Sequence, residues 1–228
     1  MRILLSAVLA TVVLGLAGTA HAQFGGLGGG MTCGDDKGVG VLFKQMNEMF
    51  FNSYLAAEEC RANALEATGN KADAEKIRSQ TKDLKADKGP KDAQKAAAES
   101  VAGTQKALDD FDKSAKVLDD AGKALIGQAR KSATKANLFI TVASLIAVPI
   151  ALQATQAISG NKVCATSLLP AINAGKNLVA TAKNVDAGNK AIGGFAKKQG
   201  LPDMTAAETK SLVQDMKLSP ELQKGLPI

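Results

Sequence analysis

The 228-residue chain has 28 basic and 22 acidic residues, one histidine and no tryptophan. That histidine, His21, lies in an N-terminal segment that we expect to be removed. The mature chain then has no Ser-His-Asp or Cys-His catalytic system and no histidine-ligated metal. Arginine is scarce and aromatic residues do not alternate with the lysines, which argues against nucleic-acid binding. The composition predicts a non-enzymatic protein without a cofactor.

The N-terminus has the pattern of a secretory signal peptide over residues 1–22. A short basic start and an apolar run lead to the small-residue cleavage site Ala20-His21-Ala22. We therefore expect a bacterial-type export signal and a periplasmic or secreted protein. Residues 23–36 are glycine-rich and predict a flexible N-terminus. The remaining chain, 37–228, is long enough for a single helical-bundle domain with its own core.

A first helix is predicted from about Gly38 to Ala67, because its apolar residues recur at helical spacing. The wide apolar face contains Phe43, Met46, Met49 and Phe50. Core packing is the ordinary interpretation of such a face. The functional alternative is a hydrophobic binding site that adapts to its ligand through flexible methionines. A short surface helix is predicted to follow, over residues 71–86.

A long amphipathic helix is predicted from about Lys91 to Thr134, in one unbroken heptad register. Three aspartates along it precede a lysine by four residues: Asp109–Lys113, Asp112–Lys116 and Asp119–Lys123. Pairs of this order stabilise a helix by about 0.3 kcal/mol each. We interpret these aspartates as a solvated face and not as a metal site.

The stretch from Ala136 to Asn161 contains no charged residue. Three interpretations are open: the buried central helix of a soluble bundle, an element that inserts into a membrane, and a permanent anchor. Pro149 and several hydroxyl groups argue against a simple membrane span. Insertion would require a hinge at Ala136–Asn137. If the stretch binds a lipid or an apolar ligand, the candidate contact residues are Leu138, Phe139, Leu145 and Ile146.

A further helix is predicted from about Ser167 to Lys198, with its own apolar heptad. Four lysines repeat every seven residues on the opposite face: Lys176, Lys183, Lys190 and Lys197. Such a row usually keeps a helix soluble. Alternatively, it binds anionic lipid headgroups.

The cysteines predict one disulfide, because an exported protein folds in an oxidising compartment. A continuous first helix would hold Cys33 and Cys60 about 40 Å apart, too far for a bond. We therefore favour Cys60–Cys164, since Cys60 follows the apolar stripe and Cys164 follows the uncharged stretch. The alternative is buried free thiols.

The C-terminal region contains a capping box, Thr205 to Glu208, that predicts one more helix. No segment alternates with strand period. Together the patterns predict an all-α fold, an antiparallel bundle of about five to six helices around one uncharged apolar helix. Its partner would be a lipid or membrane surface, or a protein of the cell envelope. A membrane-active protein that inserts 136–161 and a purely structural bundle are the alternatives. The sequence does not specify an oligomeric state.

Overall fold

The computed structural model describes residues 39–114, 116–160, 163–224 and 226, and side chains in 41–86, 88–114, 116–150, 178–220, 222–223 and 226. Its α-helices are α1 (Val39–Ala67), α2 (Lys71–Thr81), α3 (Ala93–Lys113), α4 (Asp120–Gly160), α5 (Val163–Lys198), α6 (Ala206–Asp215) and α7 (Pro220–Lys224). The predicted all-α bundle is confirmed over this part of the chain, which contains no strand. The predicted signal peptide, residues 23–36 and Cys33 lie outside the described residues.

Helix α1 has the predicted extent and ends through a glycine. Gly69 adopts a left-handed φ of 94°, and the Asn70 amide donates to the Leu65 carbonyl at 2.8 Å. This closing pattern turns the chain back on itself. Helix α2 then lies along α1, where the Arg78 guanidinium donates to Glu66 Oε2 at 2.6 Å and to Asn63 Oδ1 at 2.8 Å.

The predicted helix over 91–134 is interrupted, which corrects its single heptad register. Helix α3 ends at Lys113 and α4 begins at Asp120. The break has a local cause, because Asp119 Oδ1 accepts from the Gly122 amide at 2.7 Å and so caps a new helix. The expected Asp–Lys pairs do not form: Asp112 instead pairs with Lys198 on α5, with 2.6 Å between Nζ and Oδ2.

Helix α4 is one continuous helix of 41 residues, about 62 Å long. It contains the whole described part of the uncharged stretch, and Pro149 lies inside it. In this fold the helix runs without interruption through Ala136 and Asn137, where a hinge was expected in the membrane-inserted form.

The four long helices pack in a ring in the order α1, α4, α5, α3. Helix α4 is antiparallel to α1, and the Ser53 hydroxyl donates to the Ala136 carbonyl at 3.0 Å. It is also antiparallel to α5. Leu118, just before the N-terminus of α4, donates its backbone amide at 3.3 Å to Oε1 of Gln199, just after the C-terminus of α5. The predicted antiparallel order holds for these two neighbours.

The other two neighbours in the ring are parallel, which the sequence analysis did not foresee. Along α3 and α5, Val101 lies against Gly188, and Phe111 lies edge-on to Phe195 with ring centroids 6.1 Å apart. The residue numbers increase together along both helices from the first contact to the second, so α3 and α5 are parallel. Helix α3 is parallel to α1 as well, because α2 and the 3₁₀ turn Ala86–Lys88 return the chain beside the middle of α1, where Gly89 contacts Phe51.

The C-terminal segment, which we define as residues 201–226, lies across α4. Helix α6 opens with the predicted capping box: Thr205 Oγ1 accepts from the Glu208 amide, and Glu208 Oε2 accepts from the Thr205 amide. The segment adds four buried side chains to the core cluster that contains the apolar part of α4: Val213, Met216, Leu218 and Leu226.

Candidate functional site

The predicted apolar residues come together, but they form packed core. Met46 and Phe50 of α1 are buried in one cluster with Leu138, Phe139 and Ile146 of α4. Phe43 and Met49 are partly buried and pack against the same cluster. Their neighbours are side chains of α5 and of the C-terminal segment. Among the described side chains these residues therefore pack on one another as part of the core.

Leu145 is the exception, because it lies on a half-exposed face of α4. We call Thr141, Ser144, Leu145 and Val148 the half-exposed face, since all four are intermediate in burial and recur at helical spacing. The Thr141 and Ser144 hydroxyls each donate to the carbonyl four residues earlier at 2.9 Å. Their hydrogen bonds are thereby satisfied within the helix, so the face tolerates an apolar environment.

Helix α4 is also the described helix that is long and apolar enough to cross a bilayer, judged by length and composition. The apolar stretch of the span Asp120–Ile150 is 50% buried in the fold. A core helix of a soluble protein has the same composition. From Ser132 to Ile150 the residues of α4 that are not buried are all intermediate in burial, so they stay partly accessible to solvent.

Exposed lysines line α5 as predicted. Lys183, Lys190 and Lys197 are all exposed, while the side chain of Lys176 lies outside the described part. Lys190 forms an ion pair with Asp186, whereas Lys183 and Lys197 have no ion-pair partner among the described side chains. From Ala121 to Val185 the sequence contains no acidic residue. Positive charge and apolar surface thus lie on the same two helices.

Cys60 is a free, fully buried thiol, which corrects the predicted disulfide. It packs in one cluster with Ile192 and Phe195 of α5. Cys164 lies near the opposite end of that helix, about 42 Å from Ile192 at 1.5 Å per residue. A disulfide requires Cα atoms within about 7 Å. The antiparallel α4 carries Cys164 away from Cys60, so the Cys60–Cys164 bond is not formed in this fold.

We expect Cys60 to resist alkylation in the folded protein. Burial raises the pKa of the Cys60 thiol to about 12, and a hydrogen bond with Thr104 opposes this only in part. The reactive thiolate is therefore almost absent at pH 8. Peptide mapping after iodoacetamide treatment should find Cys60 unmodified in native protein and modified in urea. Modification at equal rates in both conditions would contradict this assignment.

A polar cluster that the sequence analysis missed lies between α1 and α3. Glu58 has 12% of its side chain exposed, and Arg61 Nη1 is 4.0 Å from its carboxylate. Burial raises the pKa of Glu58, while Arg61 and the nearby Ser100 hydroxyl lower it to a smaller extent. The Ser100 hydroxyl is buried and lies near Glu58. The same burial raises the pKa of Tyr54.

Glu58→Gln should stabilise the protein at pH 7. A carboxyl group whose pKa is raised by folding binds its proton more tightly in the folded state. Ionisation of this carboxyl therefore lowers the free energy of unfolding, and the loss is complete above its folded-state pKa. The loss is absent below about pH 4.3, the pKa of the carboxyl in the unfolded chain. Urea denaturation should show a higher midpoint for the variant at pH 7 and no difference at pH 4. The matched control is Glu48→Gln, at an exposed position of the same helix, which should show no gain.

The structure also contains an open crevice of about 400 Å³ between the α1–α2 turn and α3. Its walls combine apolar residues with charges of both signs: Leu65, Thr68, Asn70, Asp73, Gly103, Lys106, Ala107, Asp110, Phe111, Ser114 and Lys116. The crevice lies away from the apolar cluster of α4. No group of three or more His, Cys, Asp or Glu side chains that could hold a metal occurs in the described ranges.

Comparison with known proteins gives no assignment. No protein-family model matches the chain, and neither a curated protein nor a solved structure is significantly similar to it.

Proposed function

We propose that this is an exported, non-enzymatic helical-bundle protein that binds lipid reversibly at the surface of its α4–α5 hairpin. One observation carries the proposal: the longest apolar helix and an exposed lysine row occur on the same pair of helices. An apolar surface beside unpaired cations is the combination by which proteins bind anionic bilayers.

Surface binding is favoured over a ligand held inside the bundle. The Met/Phe face of α1 is occupied chiefly by α4, so an internal ligand would have to separate two long packed helices. The half-exposed face of α4 needs no such displacement. Its hydroxyl groups are already hydrogen-bonded to the helix, which removes the cost of placing them against acyl chains.

A second candidate function is insertion of α4 into the membrane, in which case the protein would form pores or an anchor. The length and composition of α4 favour it. Insertion would require α4 to leave α1 and α5, because its buried half packs against both. Leakage of dye from vesicles separates the two functions: surface binding leaves vesicles sealed, whereas insertion releases the dye.

The test of lipid binding is flotation of the mature protein with vesicles of neutral or anionic phospholipid. We expect binding to anionic vesicles that weakens with added salt. The double variant Lys183→Glu/Lys197→Glu should lower binding at least about tenfold at low salt, since each lysine near an anionic surface contributes about 1 kcal/mol. Both positions are exposed, so folding should be unaffected.

The matched control is Lys76→Glu/Lys106→Glu, which changes the net charge equally on α2 and α3. Both lysines are exposed and lie outside the α4–α5 hairpin. Equal losses in the two double variants would mean that only net charge matters. Absence of vesicle binding by the parent protein would refute the proposed function.

A further inference from the structure

The C-terminal segment covers part of α4 with apolar side chains next to a carboxylate, as an acyl chain next to its anionic headgroup would. Its apolar side chains Val213, Met216 and Leu218 join the cluster that contains the apolar residues of α4. Next to them the Glu208 carboxylate lies 3.5 Å from Lys131 Nζ, at the point where the apolar run of α4 begins. An apolar contact capped by an anion on a lysine is the arrangement that an acyl chain and its phosphate headgroup would make.

The attachment of this segment is weak in comparison with the ring of long helices. Helix α6 packs chiefly on α4, through the smallest of the main helix–helix interfaces. Its polar contacts with the bundle are the exposed Glu208–Lys131 pair and the Thr134 hydroxyl, which lies 3.4 Å from the Met204 sulfur. Segments with few buried contacts open locally at lower free energy than the core does.

Backbone strain at the end of α6 weakens the segment further. Lys217 follows the C-cap Met216 and adopts a left-handed φ of 51°. Side chains disfavour this conformation, which helices usually assign to glycine at their C-terminal end. Lys217 is also exposed, so no buried contact of its own side chain offsets the strain.

We infer that the C-terminal segment is a displaceable cover, and that an anionic bilayer first bound at the half-exposed face takes the place of this segment on α4. This inference rests on the proposed lipid binding. On displacement, headgroup phosphate replaces Glu208 at Lys131, and acyl chains replace the apolar side chains of the segment. The closed state does not bind lipid at this surface. The apparent affinity is therefore the affinity of the open state multiplied by the fraction of molecules that are open.

Two variants move the cover in opposite directions. Val213→Asp places a carboxylate at a position with 1% exposure and should release the segment. The apparent Kd for anionic vesicles should then fall at least about tenfold while helical circular dichroism is retained. The matched control is Gln214→Asp, which adds the same charge at the exposed neighbouring position and should leave the Kd unchanged.

Lys217→Gly should close the cover by relieving the left-handed strain, and so should weaken vesicle binding. Lys217→Ala removes the same charge but keeps a β-carbon, so it controls for the loss of the lysine. Weaker binding by the glycine variant than by the alanine variant supports the inference. Equal binding by the two variants would overturn it.

Hydrogen exchange on the unmodified protein supplies an independent readout. Addition of anionic vesicles should accelerate exchange of the α6 amides and leave those of α3 unchanged. The inference fails, and lipid binding stands, if the parent protein binds vesicles while α6 keeps its protection. Lipid binding itself fails if the parent protein does not float with anionic vesicles. Should Val213→Asp unfold, the exchange measurement decides.

Discussion

Ile146→Asp is expected to unfold the protein. Ile146 is 3% exposed and lies in the main cluster between α1, α4 and α5. A carboxylate there would lose its hydration without gaining a partner, and the packing of the isoleucine would be lost as well. We expect a loss of more than about 4 kcal/mol, which few single substitutions reach. Thermal denaturation followed by circular dichroism measures the effect.

Leu145→Asp provides the comparison, because Leu145 directly precedes Ile146 on the same helix but lies on the half-exposed face. Its carboxylate can reach water, so the variant should remain folded. It should nevertheless bind vesicles more weakly, since a charge now stands on the proposed contact surface. Equal destabilisation by the two substitutions would show that both faces of α4 are enclosed.

Gly188→Ala should destabilise the protein by about 1–3 kcal/mol through overpacking. A β-carbon at this position would overlap with Val101 Cγ1, and Val101 is 2% exposed. Helices α3 and α5 approach closely here because the glycine has no side chain. Urea denaturation should show a lower midpoint for the variant.

The same substitution at Gly194 should have the opposite sign. A β-carbon there meets no atom within 4 Å. Alanine should then stabilise the helix by about 0.5–1 kcal/mol through its better helix propensity.

Val101→Ala should largely rescue Gly188→Ala, because it removes the clashing methyl group. A double-mutant cycle measures that coupling, and additive effects would contradict the contact.

The helical periodicity of the sequence predicted α1 and the C-terminal end of the apolar helix, and the capping residues predicted α6. These signals act over one or two helical turns, so they survive in any tertiary context. The start of the apolar helix was predicted 16 residues too late, at Ala136 and not at Asp120. The break after Lys113 was missed because the heptad of the predicted helix continued through it. A capping aspartate, Asp119, outweighed that register, and its carboxylate resembled one more helix-stabilising acid.

Pairings across the bundle could not be read from periodicity. The Cys60–Cys164 prediction rested on Cys60 following the apolar stripe and Cys164 following the uncharged stretch. The antiparallel course of α4 places Cys164 far from Cys60. The polar cluster at Glu58 was missed for the same reason. Its residues come from α1 and α3, and the parallel packing of these two helices depends on the course of α2. Such contacts depend on topology and not on local sequence.

The parallel course of α1, α3 and α5 gives the molecule an electrical polarity along its length. Each helix carries roughly half a positive charge at its N-terminus and half a negative charge at its C-terminus. Three of the four long helices align in one direction and α4 opposes them, so the dipoles of about two helices remain uncancelled. The positive pole lies toward the N-termini of α1 and α5, Val39 and Val163, at the hairpin end of the bundle. The effect of such a dipole is confined to the first and last turn of each helix, so its consequence is local: the N-terminal ends of α1 and α5 favour anionic groups.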